Sequence, residues 1–312
     1  MPIILATTHS FVRAVENLNL KSDIEARGFF YREVAILASP FSFDPADVVA
    51  IAAGEPKLGA SELSHFPNLK IIARFGRGLD NIDIACAQSR GIAVTSVPHG
   101  SNKAVAELAV GFMFSMARKI PEFDRQIKRG EWRRDYSRGV VGKKLGIVGF
   151  GAIGKEVAAM ARGIGMQVSA FDPHASLDEF RRAEVLQNDF NMLMQESDFV
   201  SLHVPLTDAT KHLMNSAAIA FMKKDAFLIN TSRGGVVDEK ALLDALNEEK
   251  IAGAALDVFA KEPPFREDGI SKLLALHPKV IATPHAASFT QEAHEEIARV
   301  VLENIFAACG AS

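Results

Sequence analysis

Two cysteines in 312 residues, Cys86 and Cys309, stand far apart with no second thiol near either. That scarcity excludes a disulfide-stapled scaffold and a thiolate metal centre, and it fits a reducing compartment, so a cytoplasmic location is expected. Basic tracts are equally scarce. Lys plus Arg number 35 against 38 Asp plus Glu, a net charge of −3. No row of cations is available to neutralise a phosphate backbone, and no nucleic-acid partner is expected. Long apolar runs are missing too: the most apolar long stretch, 104–117, is interrupted by Glu107 and falls short of the about 20 residues a bilayer requires. No membrane association follows. The short apolar run at the N-terminus has no basic residues before it and ends at Thr7, Thr8 and His9, which reads as a first strand and not as a signal sequence. Internal repeats and low-complexity segments do not occur.

What remains is an ordinary globular composition, 48% hydrophobic and 23% charged, over about twice the length of a typical domain of roughly 150 residues. Short aliphatic or β-branched runs alternate with segments of helical period, the pattern of parallel strands joined by crossover helices. In the first third, strands are expected at 3–6, 34–38, 47–53, 69–74 and 92–95, with helices near 11–27 and 80–90. A long helix from Asn102, broken at Ile120-Pro121, leads through a basic, glycine-punctuated stretch into a second series of strands at 145–149, 168–171, 199–203, 226–230, 252–256 and 280–282. Two series imply two parallel sheets, an α/β protein of two domains. A last helix, about 290–309, either returns to the first domain or lies between the two.

The strand at 145–149 runs directly into Gly149-Phe150-Gly151-Ala152-Ile153-Gly154, a G-x-G-x-x-G turn opening a helix in which Val157, Ala158 and Ala161 fall at helical spacing. In that context each glycine has a task. Gly149 makes the tight turn, Gly151 lets backbone approach a pyrophosphate, and Gly154 lets helix and strand pack closely. The helix start offers unpaired amides to the anion. The next strand ends in Asp172, 18 residues after Gly154, the offset of an acid that accepts from the ribose hydroxyls and repels a 2′-phosphate. Pro173, His174 and Ala175 supply no Arg or Lys. The expected cofactor is NAD.

Three later segments each follow a strand and carry a candidate for the chemistry, Arg233, Glu262 and His285 in turn: Asn230-Thr231-Ser232-Arg233-Gly234-Gly235, Leu256-Asp257 through Glu262-Pro263-Pro264, and Thr283-Pro284-His285-Ala286-Ala287-Ser288. Strand ends of an open parallel sheet converge on one crevice, which brings Arg233, Glu262 and His285 together. Moving a hydride between a secondary alcohol and NAD requires moving a proton on or off oxygen, and His is the natural acid/base. Glu262 would orient and charge-stabilise the ring, while Arg233 offers a fork to a carboxylate. The remaining histidines lack such company. His99, at the expected interdomain hinge, and His203, beside the cofactor turn, are the two with a functional claim.

Gly149–Gly154, Asp172, His203-Val204-Pro205-Leu206-Thr207, Asn230 through Glu239, 255–264 and 283–288, in this order along the chain, resemble the D-isomer-specific 2-hydroxyacid dehydrogenase family. The resemblance implies two Rossmann- or flavodoxin-like domains with the active site in the cleft between them: a substrate domain of residues 1–101 and 286–312, and an NAD-binding domain of 102–285. It implies a homodimer built largely on the cofactor domains. Carried over by position, Arg233 binds the substrate's carboxylate and carbonyl, Glu262 pairs with His285, and His285 exchanges the proton. Asp257, Thr231, the Val204-Pro205 turn, Thr210 and Val105 would join Gly149, Gly151, Ala152, Ile153, Gly154 and Asp172 around the cofactor. In the first domain, Arg74-Phe75-Gly76-Arg77-Gly78-Leu79-Asp80-Asn81 is similar to the family's substrate loop, which places Arg74, Gly76, Arg77 and Gly78 at the substrate.

The family's 3-phosphoglycerate branch has an Arg at the position of Arg74 but also a Val-Arg-Ser segment where this chain reads Ala52-Ala53-Gly54. One expected phosphate ligand is absent, which favours hydroxypyruvate or glyoxylate as the small 2-keto acid, with 3-phosphoglycerate as the alternative. Formate is disfavoured, because Glu262 stands where formate enzymes of the superfamily carry Gln. NADH-responsive corepressor-like binding proteins share the Arg, Glu and His, and dehydrogenases of donors such as phosphite share the His and Glu. The corepressors differ by extended disordered arms, which are not found here.

Overall fold

Strand β1 (Ile3–Ala6) is buried along its whole length because its alternating side chains enter two different cores. Ile4 and Ala6 face Phe11, Val15 and Ile24, while Ile3 and Leu5 face Leu58, Leu63 and Phe66. That two-sided burial is the mark of a parallel sheet covered by helices on both faces. The computed structural model describes residues 1–34 and 41–310. Its chain divides into two units, Met1–Ser101 with Phe289–Ser312, and Asn102–Ser288.

In the first unit, β2 (Phe30–Glu33), β3 (Val48–Ala53), β4 (Ile71–Arg74) and β5 (Ala93–Thr95) join β1 in a five-stranded parallel sheet of order β2-β1-β3-β4-β5. This is the flavodoxin-like order, which reverses between β1 and β3. The final helix, Gln291–Cys309, belongs to this unit: Ile297, Ala298, Val301, Leu302 and Ile305 pack on Ile4, Ala50, Ile71 and Ala73. The second unit holds β6 (Lys144–Val148), β7 (Gln167–Phe171), β8 (Leu186–Gln187), β9 (Phe199–Leu202), β10 (Phe227–Asn230), β11 (Gly253–Leu256) and β12 (Val280–Ala282). They form a parallel sheet of order β12-β11-β10-β9-β6-β7-β8. The reversal falls between β6 and β9, the place where doubly wound sheets take a dinucleotide. Helix Asn102–Ala117 covers one face, with Phe112 and Met113 in the core that holds Ile147, Phe199 and Ile229.

Several elements differ from the sequence expectation. The helix expected over 11–27 is two helices, His9–Asn17 and Lys21–Ala26, because Asn19 adopts a left-handed φ of 53° that breaks the hydrogen-bond ladder. The second strand is Phe30–Glu33, earlier than 34–38; residues 35–40 lie outside the described residues. Its mostly exposed side chains carry no apolar pattern, as suits an edge strand. The two-residue β8 gives no period to read. Ala286–Ser288, assigned by sequence to the first domain, group with the second unit. The reason is local, since the Ala286 and Ala287 amides donate to the Asp257 carboxylate at 2.8 and 2.9 Å.

Candidate active site

The turn after β6 is built as its glycines require. Gly149 has φ +96°, and a Cβ there would lie 2.6 Å from the His203 carbonyl oxygen and 2.8 Å from Val204 Cγ1. The β6 and β9 ends therefore meet backbone to backbone. A Cβ on Gly154 would stand 2.2 Å from the Gly149 oxygen, whereas Gly151 has nothing within 4 Å of that position. Ala152 and Ile153 form the first turn of helix Ala152–Gly163, whose Val157, Ala158 and Ala161 are buried as the spacing predicts. Asp172, after β7, accepts from the Phe150 amide at 2.8 Å and the His174 amide at 2.9 Å. Its carboxylate is thus fixed beside the glycine turn.

At the end of β9, Thr210 Oγ1 donates to Pro205 O at 2.5 Å and accepts from Thr207 N at 2.8 Å. Thr210 holds the Val204-Pro205 turn in shape. His203 bonds Ser201 Oγ at 2.8 Å, its Nδ1 is buried without a partner, and burial pushes its pKa down to about 4. Val105 is buried on helix Asn102–Ala117, and the Thr231 hydroxyl after β10 is buried with no partner. An open cradle at Gly151, amides at a helix start, a fixed acid at Asp172 and an orphaned Thr231 hydroxyl fit a dinucleotide.

The loop after β10 is shaped by Asn230, whose amide donates to Arg233 O at 3.0 Å and whose oxygen accepts from Ser232 N and Oγ. Arg233 Nη1 donates to Ser232 O at 2.8 Å. Gly234 then touches the loop after β11 so closely that a Cβ would fall 1.9 Å from the Phe259 carbonyl carbon. In that second loop the Phe259 amide donates to Glu262 Oε1 at 2.9 Å, and the other carboxylate oxygen bonds His285 Nδ1 at 2.8 Å. His285 itself has a left-handed φ of 53°. It is held there by its amide on Asp257 O and by the Asp257 carboxylate, which accepts from Thr283 Oγ1, Ala286 N and Ala287 N. Asp257, fully buried, organises the histidine loop with these four bonds.

Electrostatics follow the geometry. The hydrogen bond that His285 donates to Glu262 raises the His285 pKa above its ordinary 6.5; burial opposes this, the charges of Glu262 and Asp257 add to it, and Arg233 detracts. Burial pushes Glu262 up, but the His285 bond, the Phe259 amide and the charges of His285 and Arg233 together leave it lowered. Arg233, Glu262 and His285 form one electrostatic cluster in the second unit. With Nδ1 on a carboxylate, Nε2 of His285 is the nitrogen available to a reacting oxygen.

The substrate-loop residues lie in the first unit. Gly76 has φ +129° and Arg77 is exposed. Arg74 turns onto backbone, its Nε donating to Gly78 O and its Nη1 to Ala53 O, both at 2.8 Å. Asn81 is a residue that sequence reasoning passed over: its amide donates to Gly54, Glu55 and Pro56 carbonyls. These bonds reach back 25 to 27 residues, so no local pattern in the sequence signals them.

Residues 110–287 match the model of the D-isomer specific 2-hydroxyacid dehydrogenase NAD binding domain. The chain is 42% identical over 263 residues to D-3-phosphoglycerate dehydrogenase of Methanocaldococcus jannaschii, covering 83% of this chain and 49% of that enzyme. It thus spans about half the length of that relative. It is 41% identical over 264 residues to hydroxypyruvate reductase of Thermotoga maritima, covering 84% and 85% of the two chains. Among solved structures, D-lactate dehydrogenase from Aquifex aeolicus, complexed with NAD and lactic acid, superposes with a TM-score of 0.83 at 27% identity over 99% of this chain and 96% of that one. The chain belongs to the D-isomer specific 2-hydroxyacid dehydrogenase family and carries its NAD-binding domain.

Proposed function

We propose that this chain is an NAD-dependent D-2-hydroxyacid dehydrogenase that interconverts a small 2-keto acid and its 2-hydroxy acid, with hydroxypyruvate or glyoxylate as the favoured keto acid. The observation that carries the reading is the 2.8 Å bond between His285 Nδ1 and Glu262, with Arg233 acting on both. Bound NADH supplies the hydride. In reduction, protonated His285 gives its Nε2 proton to the substrate carbonyl oxygen as the carbonyl carbon is reduced, and Glu262 stabilises the imidazolium beforehand. Arg233 takes the substrate carboxylate and polarises the carbonyl. In oxidation, neutral His285 removes the hydroxyl proton. Arg77 and the amides of residues 77 and 78 are proposed as substrate-binding groups.

NADH oxidation with glyoxylate and hydroxypyruvate, followed at about 340 nm, tests this against His285→Ala. Loss of the general acid should lower kcat by roughly 10²–10⁴-fold with the Kd for NADH unchanged; an active variant overturns the assignment. A homodimer completes the proposal. Between helix Ile120–Lys128 and β6, Trp132 is 78% and Tyr136 100% exposed, and Val141 there and Ile120 and Ile127 on the helix are also exposed. Aromatic side chains left in water on one segment suit an interface with a second copy.

A further inference from the structure

The loop that follows β4 is held by two side chains acting on backbone oxygens. Arg74 Nε donates to Gly78 O at 2.8 Å, and its Nη1 donates to Ala53 O at 2.8 Å and Phe75 O at 3.4 Å. Asn81 Nδ2 donates to Gly54 O and Pro56 O at 2.8 Å and to Glu55 O at 3.2 Å. Backbone donors take further carbonyls, with Gly76 N on Arg74 O, Val97 N on Gly76 O and Ile82 N on Leu79 O. The carbonyls of Arg74, Phe75, Gly76, Gly78 and Leu79 therefore all accept within this unit. By contrast, the amides of Arg77, Gly78 and Leu79 have no backbone acceptor among the described residues. Carbonyls drawn in and successive amides left out make a concavity suited to an anion.

Resting on the reading of the proposed function, we infer that Arg74 and Asn81 are positioning residues that shape the loop's amides for the carboxylate of an unphosphorylated 2-keto acid, and that Arg74 is not a ligand for a substrate phosphate. The guanidinium is planar, so bonds from Nε and Nη1 to three carbonyls fix the orientation of the whole fork. Turning it onto a phosphate would strip those donors from half-buried carbonyls and release the loop it shapes. The sequence beside it, Ala52-Ala53-Gly54, offers no second cation, and Ala53 meets Arg74 through its carbonyl. Asn81 does the same work on the facing 54–56 backbone. The two side chains lock the β3 and β4 loops to each other.

The test compares wild type, Arg74→Ala, Arg74→Lys and Asn81→Ala with hydroxypyruvate and with phosphohydroxypyruvate, and measures NADH binding by fluorescence. Wild type is expected to prefer the unphosphorylated acid. Arg74→Ala and Asn81→Ala should each raise KM by on the order of tenfold to a hundredfold, by the same factor for both acids, with kcat changed less and the Kd for NADH unmoved. Arg74→Lys, which keeps the charge but loses the fork, should fall with Arg74→Ala and not with wild type; if Arg74→Ala does not fold, Arg74→Lys and Asn81→Ala carry the comparison. Loss confined to the phosphorylated acid, rescue by the Arg74→Lys variant, unchanged KM, or an equal fall in NADH binding would each overturn the inference. Failure of wild type on both acids would instead overturn the functional reading beneath it.

Discussion

At the scale of single residues, the site depends on one histidine held in an unusual backbone conformation. A left-handed φ at a non-glycine residue costs on the order of 1–3 kcal/mol. At His285 the cost is offset by Asp257, whose buried carboxylate and carbonyl collect bonds from Thr283, His285, Ala286 and Ala287. Glu262 then sets the proton affinity of the ring. Because reduction uses the imidazolium, kcat/KM for the keto acid should be at full value at low pH and fall as pH rises through a pKa above 6.5. Glu262→Gln removes the largest cause of that elevation. A pH–rate profile of the variant should show the falling limb moved to lower pH, with a lower plateau. His203, by contrast, is neutral at physiological pH, since burial has pushed it down to about 4.

At the scale of elements, the second unit is a set of strand ends whose loops interlock through glycine. Gly234 is the sharpest case: any side chain there collides with the Phe259–Ala260 peptide. Gly234→Ala should cost about 1–3 kcal/mol by overpacking, read as a lower midpoint in urea, and should weaken keto-acid turnover because the Arg233 loop and the Glu262 loop can no longer both keep their places. Most of these elements were legible in the sequence, because strands such as β6 and β9–β11 are buried on both faces and announce themselves as apolar runs. The elements that were not legible have a shared cause. β2 and β8 are edge strands with exposed side chains, and the break at Asn19 depends on a backbone angle that no apolar pattern reports.

At the scale of the whole molecule, among the described residues no helix is long and apolar enough to cross a membrane. The largest exposed aromatics, Trp132 and Tyr136, lie on one segment of the second unit. If that segment joins two copies, light scattering should give about twice 33.8 kDa for wild type, and the double variant Trp132→Asp, Tyr136→Asp should give the monomer mass. Hydrophobic period and turn chemistry are local properties, so the amino-acid order alone specifies the two parallel sheets, the glycine turn with Asp172 and the residue types Arg233, Glu262 and His285. Which partner each polar group takes is a matter of the folded chain. Asp257 bonds amides about 30 residues ahead, Arg74 bonds a carbonyl on a neighbouring strand, and the last helix closes over the first sheet. Those choices depend on strand order and register, which bring distant segments within about 3 Å, and no local pattern encodes them.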